Sequence, residues 1–199
     1  MLKRIVTIQD ISCFGKCSST VALPLISAMG VEAAVIPTAV LSTHTSGFTG
    51  YTFRDLTADI PQIAAHWKGL DLHFDGIYTG YLGSREQVQI VADFFDLFRK
   101  KDTTIVVDPV MGDDGTLYNG ISENTIKYMR NICSVADVIM PNYTEAAFLA
   151  DKYIDKDDVT RAQAEELVDS LRKMGSKSIV ITSISVEGQT CVYGYDDGE

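Results

Sequence analysis

Cysteine is scarce. Four residues, Cys13, Cys17, Cys133 and Cys191, are too few and too scattered for a disulfide framework, and the Cys13 to Cys17 spacing lacks the second pair that a zinc site needs. Such usage fits a reduced, cytoplasmic compartment. Basic residues are also in short supply: 17 Lys and Arg stand against 27 Asp and Glu, for a net charge of −10. That balance argues against nucleic acid or an anionic membrane as a partner, because both demand a basic surface. No long apolar run is present either. Lys3 and Arg4 open the chain, but the apolar stretch behind them breaks at Gln9 and Asp10, which predicts neither a signal peptide nor a membrane span. Internal repeats, low-complexity segments and a dividing linker are absent from the sequence as well.

What remains is an ordinary globular composition, 46% apolar and 22% charged over 199 residues, suited to a single domain spanning 1–199. Residues 4–8 form a short β-branched strand that leads through Gly15 into Ser18-Ser19-Thr20, a helix cap ahead of the apolar run 21–29. Residues 31–37 predict a second strand, 41–50 a Ser/Thr/Gly-rich loop, and 56–67 a helix with Pro61 in its first turn. A third strand, 76–79, opens onto Gly80-Tyr81-Leu82-Gly83 and an amphipathic helix over 88–98. Apolar, β-branched runs at 103–107, 135–140 and 178–181 continue the pattern, with helices at 143–150 and 161–174. Strands recurring with intervening helices predict an α/β fold with a doubly wound, mostly parallel sheet and helices on both faces. Alternation over 182–195 predicts a hairpin, and Asp196-Asp197-Gly198-Glu199 has turn composition with no strand after it, so the sheet is expected to lack its last elements.

Ligands of open α/β sheets collect at the carboxyl ends of the parallel strands, so the residues that follow each strand are the candidates. They are Asp10 and Ser12, then Ser42 to Thr45, Gly80 and Tyr81, the run 108–115, the run 141–145, and Thr182 with Ser183. The run 108–115 holds three carboxylates and two glycines, a composition suited to a divalent cation and to close backbone approach by phosphate. An acidic surface turn would have the same composition. Glu145, three residues after Asn142 at a helix start, is explained as well by capping as by chemistry. Tyr81 and His44 read equally as packing and loop residues, and His66 and His73 read as structural. The glycosylation sequon Asn142-Tyr143-Thr144 is set aside because nothing suggests secretion. Asp10 is different: a carboxylate at the end of an apolar strand needs a partner, which a pyridine nitrogen or a phenolic oxygen would supply.

Four strings, Pro37-Thr38-Ala39-Val40-Leu41-Ser42-Thr43-His44-Thr45, Tyr78-Thr79-Gly80-Tyr81-Leu82-Gly83, Val107-Asp108-Pro109-Val110-Met111-Gly112-Asp113 and Met140-Pro141-Asn142-Tyr143-Thr144-Glu145-Ala146, resemble the bacterial pyridoxal/pyridoxamine kinases of the ribokinase-like superfamily. The resemblance runs in order from the first strand to the chain end. The third and fourth strings also occur in hydroxymethylpyrimidine kinases; the Thr43-His44-Thr45 loop with Thr79-Gly80-Tyr81 shifts the weight to vitamin B6. It implies ATP-dependent phosphorylation of the hydroxymethyl group of pyridoxal, pyridoxine or pyridoxamine, with Mg2+, room for a monovalent cation, and a homodimer. It puts Asp10 and Ser12 near the pyridine ring, Thr45 near its polar substituents and Tyr81 against it. Asp108, Asp113, Asn142 and Glu145 would belong to the metal and phosphate network, Asp113 and Glu145 as metal ligands. Tyr118, Thr182 and Ser183 would approach ATP. The eukaryotic pattern has serine where Asp10 stands. The family's general base belongs to a glycine-x-glycine-aspartate string that does not occur in these 199 residues, so the expectation is a chain with no general base and little or no turnover. Two alternatives are a hydroxymethylpyrimidine kinase and a non-catalytic B6-binding fragment.

Overall fold

In a computed structural model, residues 2–118, 121–152 and 158–196 are described, so the expected turn at Asp197, Gly198 and Glu199 lies outside the described residues. Two compact units divide the chain, residues 1–105 and 106–199.

The first unit is built on β1 (Arg4–Phe14), which pairs in parallel with β2 (Glu32–Thr43) on one side and β4 (Gly76–Thr79) on the other. The short β3 (Phe53–Asp55) adds an antiparallel edge to β2, giving the order β4-β1-β2-β3. Both long strands outrun their sequence signal. The β-branched run ends at Ile8, yet pairing with β2 carries β1 on to Phe14, so Asp10 and Ser12 lie within the strand. The Ser/Thr-rich residues 41–43, expected as loop, continue β2 because Leu41 and Thr43 find register partners on β1. In this register Gln9 faces Pro37 and Ile11 faces Val40, so Thr38 and Ala39 together oppose the single residue Asp10. That is a β-bulge, a device that re-aims a side chain.

Three helices complete this unit. α1 (Ser19–Ala28) starts after Ser18, whose positive φ of 54° leaves its hydroxyl with no capping bond; Thr20 Oγ1 donates to the Cys17 carbonyl instead. α2 (Ile60–Gly69) starts four residues later than the pattern suggests, because the Thr57 N–H donates to Asp55 Oδ1 in a turn ahead of Pro61. α3 (Arg85–Phe98) is capped by Ser84, whose hydroxyl accepts the Gln87 N–H. Its Val88, Val91, Phe94, Phe95 and Phe98 are buried at helical spacing, and Phe94 and Phe98 join Phe74 and Trp67 in an aromatic cluster.

In the second unit Val106 and Val107, the end of β5 (Thr104–Val107), pair in parallel with β8 (Val138–Ile139), β8 with β9 (Ser178–Val186), and β9 antiparallel with β10 (Gln189–Tyr195). The expected hairpin is thus present, longer than predicted and turning at Glu187-Gly188. A separate ribbon, β6 (Gly112–Asp113) and β7 (Thr116–Leu117), turns at Asp114-Gly115, both with positive φ. An Asp-Gly pair is the residue choice for such a turn, so the run 108–115 ends in a hairpin turn, while residues 108–111 lead into it without strand pairing. α5 (Tyr143–Ala150) and α6 (Arg161–Arg172) stand where the pattern put them. α4 (Glu123–Cys133) had no sequence expectation, although Ser122 heads it as a capping box and Met129, Ile132 and Cys133 are its buried face. Ile139, Leu149, Leu167, Leu171, Ile179 and Ile181 form the core here.

Candidate functional site

In the first unit the candidate ring-binding residues gather around the bulge. Asp10 is only 6% exposed, and Ser12 Oγ donates to its Oδ2 at 3.1 Å. Burial pushes the Tyr81 hydroxyl up from its ordinary value, with the negative field of Asp10 next in effect, then Tyr51 and Asp55. Tyr81 is therefore a neutral donor, near enough to Asp10 to feel its charge. Its ring lies over Gly83, where an added Cβ would meet Tyr81 Oη at 3.2 Å. The Tyr81 carbonyl accepts from Thr38 Oγ1 at 3.2 Å, and the Gly83 N–H donates to Gln87 Oε1 at 2.8 Å. Gln87 in turn donates to the Thr38 carbonyl at 3.0 Å and to Thr57 Oγ1 at 2.8 Å, which ties the Gly80–Gly83 segment to the bulged strand. Sequence reasoning passed over Gln87; its place three residues after the Ser84 cap reads as capping, and only the fold turns its amide inward.

His44 and Thr45 part company. The imidazole packs over Gly15, where a Cβ would fall 2.1 Å from His44 Cδ2, and edge-on to Phe48 at 4.8 Å between ring centres. Thr45 is exposed in the bend that follows. A cleft of about 370 Å³ opens beside these residues, lined by Ser12, Cys13, Phe14, Gly15, Lys16 and Thr20.

In the second unit the candidates centre on Glu145, 3% exposed at the start of α5. Its Oε1 accepts the Met111 N–H at 2.9 Å and its Oε2 the Asn142 N–H at 2.9 Å. Asn142 returns the bond, Oδ1 accepting the Glu145 N–H at 2.9 Å, and its Nδ2 donates to the Gly112 carbonyl at 2.8 Å. The capping explanation of Glu145 is thus correct as geometry, but the box also clamps the β6–β7 ribbon to α5, and Thr144 Oγ1 adds a bond from the Gly115 N–H. Burial pushes Glu145 up to about 8, although its backbone donors oppose this, and pushes Asp108 up to about 7. Asp108 raises Glu145 further, so the two carboxyls feel each other. Asp113 is exposed, its Oδ1 accepting the neighbouring Asp114 N–H. Thr182 donates its N–H to the Pro141 carbonyl and bridges to Asn142, while Ser183 has a positive φ of 54° in a bulge where the two residues oppose Val192 alone. Tyr118 follows the ribbon, its N–H on the Met111 carbonyl.

The matching family model is phosphomethylpyrimidine kinase, and it covers residues 23–198. The chain belongs to that family. A Bacteroides thetaiotaomicron protein assigned to the phosphomethylpyrimidine kinases and crystallised with pyridoxal is 43% identical, with a TM-score of 0.93 over 100% of this chain and 70% of that one. Pyridoxal kinase from Lactobacillus plantarum is 35% identical, with a TM-score of 0.87 over 99% and 69%. Pyridoxal kinase from Leishmania donovani, solved with ADP and ginkgotoxin, is 28% identical, with a TM-score of 0.79 over 92% and 63%. These likenesses establish the α/β fold with its mostly parallel sheet and flanking helices. Curated pyridoxal kinases match at 28% and 29% identity, and the chain spans 58% and 61% of their length.

Among the described residues no group of three or more His, Cys, Asp and Glu side chains is assembled for a metal ion. The donor set still fits one kind of ion. Glu145 and Asp108 are held up by burial with no cation beside them among the described residues, and a magnesium that takes most of its ligands from phosphate oxygens and water needs only one or two protein carboxylates. Asp113, turned to its own hairpin, would have to leave the Asp114 N–H to join them.

Gly112 is a stringent position of the β6–β7 ribbon. A Cβ on Gly112 would lie 2.2 Å from the Thr116 carbonyl oxygen, across the hairpin. Gly112→Ala is therefore expected to open β6 from β7 and release Asn142 Nδ2 from its acceptor, costing about 2–3 kcal/mol in a urea melt. Gly188→Ala is the control, since a Cβ there meets nothing and only its positive φ of 79° resists; it should cost about 1 kcal/mol.

Proposed function

We propose that this protein phosphorylates the hydroxymethyl group of pyridoxal, pyridoxine or pyridoxamine, with ATP as phosphoryl donor. The observation that carries the reading is the pyridoxal-bound relative at 43% identity, which this chain matches over its whole length. Nucleotide use is supported by the ADP complex of the Leishmania pyridoxal kinase.

In this reading Asp10, Ser12 and Tyr81 hold the pyridine ring, and Thr45 meets its substituents as the 44–47 bend moves onto the ligand. Asp108, Glu145 and Asp113 face Mg2+ and the phosphates, Asn142 fixes Glu145, and Tyr118, Thr182 and Ser183 approach the nucleotide. The metal supplies charge neutralisation on the phosphates, and the protein's part is mainly to position and to stabilise charge. A cytoplasmic homodimer belongs to the same proposal. No helix of the described residues is long and apolar enough to cross a membrane. The outer face of α1, with Leu25 58% exposed, Met29 at the C-cap 72% exposed and no charged residue in the helix, is suited to self-association in a chain of net charge −10.

The family's name points to a second substrate class, aminopyrimidine alcohols, so the test is a competition. Pyridoxal and 4-amino-5-hydroxymethyl-2-methylpyrimidine are offered together with Mg-ATP, and saturable binding of each is measured in parallel. Pyridoxal should be preferred by at least about 10-fold, the discrimination a few well-placed polar contacts supply. Preference for the pyrimidine would move the protein to the other substrate class.

A further inference from the structure

We infer that Gln87 is a positioning residue of the ring site: its buried amide sets Tyr81 against the bulged strand, acting through Gly83 and Thr38. This deepens the vitamin B6 reading and rests on it, since only in that reading does Tyr81 meet a pyridine ring.

Gln87 is 1% exposed in the first turn of α3, and its amide uses both of its polar atoms. Oε1 accepts the Gly83 N–H at 2.8 Å, while Nε2 donates to the Thr38 carbonyl at 3.0 Å and to Thr57 Oγ1 at 2.8 Å. Two of these partners are backbone groups of fixed polarity, an N–H and a carbonyl, so they dictate which way the amide points. A glutamate here would accept but not donate, and an apolar residue of the same length would remove all three bonds. A glutamine three residues after a serine cap ordinarily turns back to the N–H of the cap itself. This one reaches a residue further, to Gly83, and inward to two other elements.

Two of the partners bear directly on Tyr81. Thr38 Oγ1 donates to the Tyr81 carbonyl at 3.2 Å, and Thr38 is one of the two residues that oppose Asp10 in the bulge. The Tyr81 ring lies over Gly83, where an added Cβ would meet Oη at 3.2 Å and Cε1 at 3.3 Å. One amide thus holds both the floor under the ring and the anchor of the tyrosine backbone. The other end of the segment is fixed independently. The Gly80 N–H donates to the Ile8 carbonyl at 3.1 Å, and a Cβ on Gly80 would fall 2.9 Å from Gln9 Cδ. Leu82, between the two ends, is 1% exposed. Thr57 carries the network on to Asp55, whose Oδ1 accepts the Thr57 N–H at 2.7 Å. Loss of the Gln87 amide therefore frees the Gly83 end alone, and the Tyr81 ring moves with its floor. A misplacement of about 1 Å is enough to weaken a ligand's contacts severely.

Pyridoxal is titrated calorimetrically against the unmodified chain, Gln87→Met, Tyr81→Ala and the double variant. Gln87→Met keeps the length of the side chain and removes its three bonds. It should bind pyridoxal about 10- to 100-fold more weakly than the unmodified chain. In the Tyr81→Ala background the same change should cost less than about 3-fold, because the group that the amide positions is gone. Unaltered affinity in Gln87→Met overturns the inference and leaves the B6 reading intact. An equal loss with and without Tyr81 does the same, since that is what a merely structural amide would give. If the unmodified chain binds no pyridoxal, the B6 reading has failed and takes the role of Gln87 with it. Hydrogen exchange on the unmodified chain decides the matter where a variant does not fold or bind. Saturating pyridoxal should slow exchange of the Gly83 N–H by about 5-fold or more, because the ring above it is then held by the ligand. An exchange rate at Gly83 that pyridoxal leaves unchanged overturns the inference.

Discussion

Replacing Glu145 by alanine is expected to cost about 3–5 kcal/mol of stability. The residue is 3% exposed, and its two oxygens accept the N–H groups of Met111 and Asn142, each at 2.9 Å. Truncation leaves both donors buried and unpaired, at about 1–3 kcal/mol apiece, and removes half of the α5 capping box. Relief from burying an acid offsets part of this, yet an acid held near 8 is largely uncharged at pH 7, so the relief is smaller than the loss. Glu145→Gln separates bonding from charge: one oxygen still accepts an N–H, while the new amide sets a donor against a donor. It should lose roughly half as much, read as a shift in urea midpoint with an unchanged slope. Activity should fall as well, because Met111 and Asn142 carry the ribbon and the helix start around the phosphate candidates. A loss on the order of 10² in phosphoryl transfer is the expectation for either variant. An Ala variant within 1 kcal/mol of the parent would show that solvent, not Glu145, satisfies those N–H groups.

The residues that bear this prediction were legible in the sequence, but their roles were only half so. The fold followed from β-branched runs spaced by periodic helices, since that pattern is set by burial on both faces of a parallel sheet. Asn142 and Glu145 stood out because their spacing has a mechanism, and the structure realises it as a reciprocal cap. What the pattern could not carry was pairing. Residues 9–14 and 41–43 have polar, loop-like composition and are strand only because each is the other's register partner. The bulge at Asp10 depends on an offset between two strands, invisible to a reading of either alone. For the run 108–115 composition left a cation loop and an acidic surface turn open, and pairing of Gly112-Asp113 with Thr116-Leu117 makes Asp114-Gly115 a hairpin turn. Gln87 matters through Thr38 and Thr57, and the Gly112 carbonyl through the Asn142 amide, all distant in the chain, and no local rule marks them. Thr45 shows the converse. Its motif was conspicuous, yet the structure leaves it exposed, while its neighbour His44 is fixed against Gly15 and Phe48.

Raising the pH from 5 to 8 in the absence of nucleotide and metal should destabilise the protein, against the usual expectation for acid groups. Glu145 moves from an ordinary 4.5 to about 8 in the folded state, and Asp108 from 3.8 to about 7. Both folded values lie above the unfolded ones, so between them the folded chain holds protons that the unfolded chain has released. Their contribution is whole below about pH 4 and is lost as the pH climbs through 7 and 8. The acids shifted the other way, Asp75 beside Lys3 and Glu166 beside Lys152, are exposed, and their effect falls below this window. Allowing for relaxation of the site, the loss should be about 2–4 kcal/mol, or a fall of roughly 5–15 °C in melting temperature for a chain of this size. Millimolar Mg2+ with ADP should restore most of it at pH 8 and little at pH 5, because a bound cation stabilises the ionised carboxyls and only there are they ionised. Glu145→Gln should flatten the profile by its own share and weaken the metal-dependent recovery. A melting temperature level from pH 5 to 8 would mean that water reaches both carboxyls, and that the charge the phosphates meet there is already present before the metal arrives.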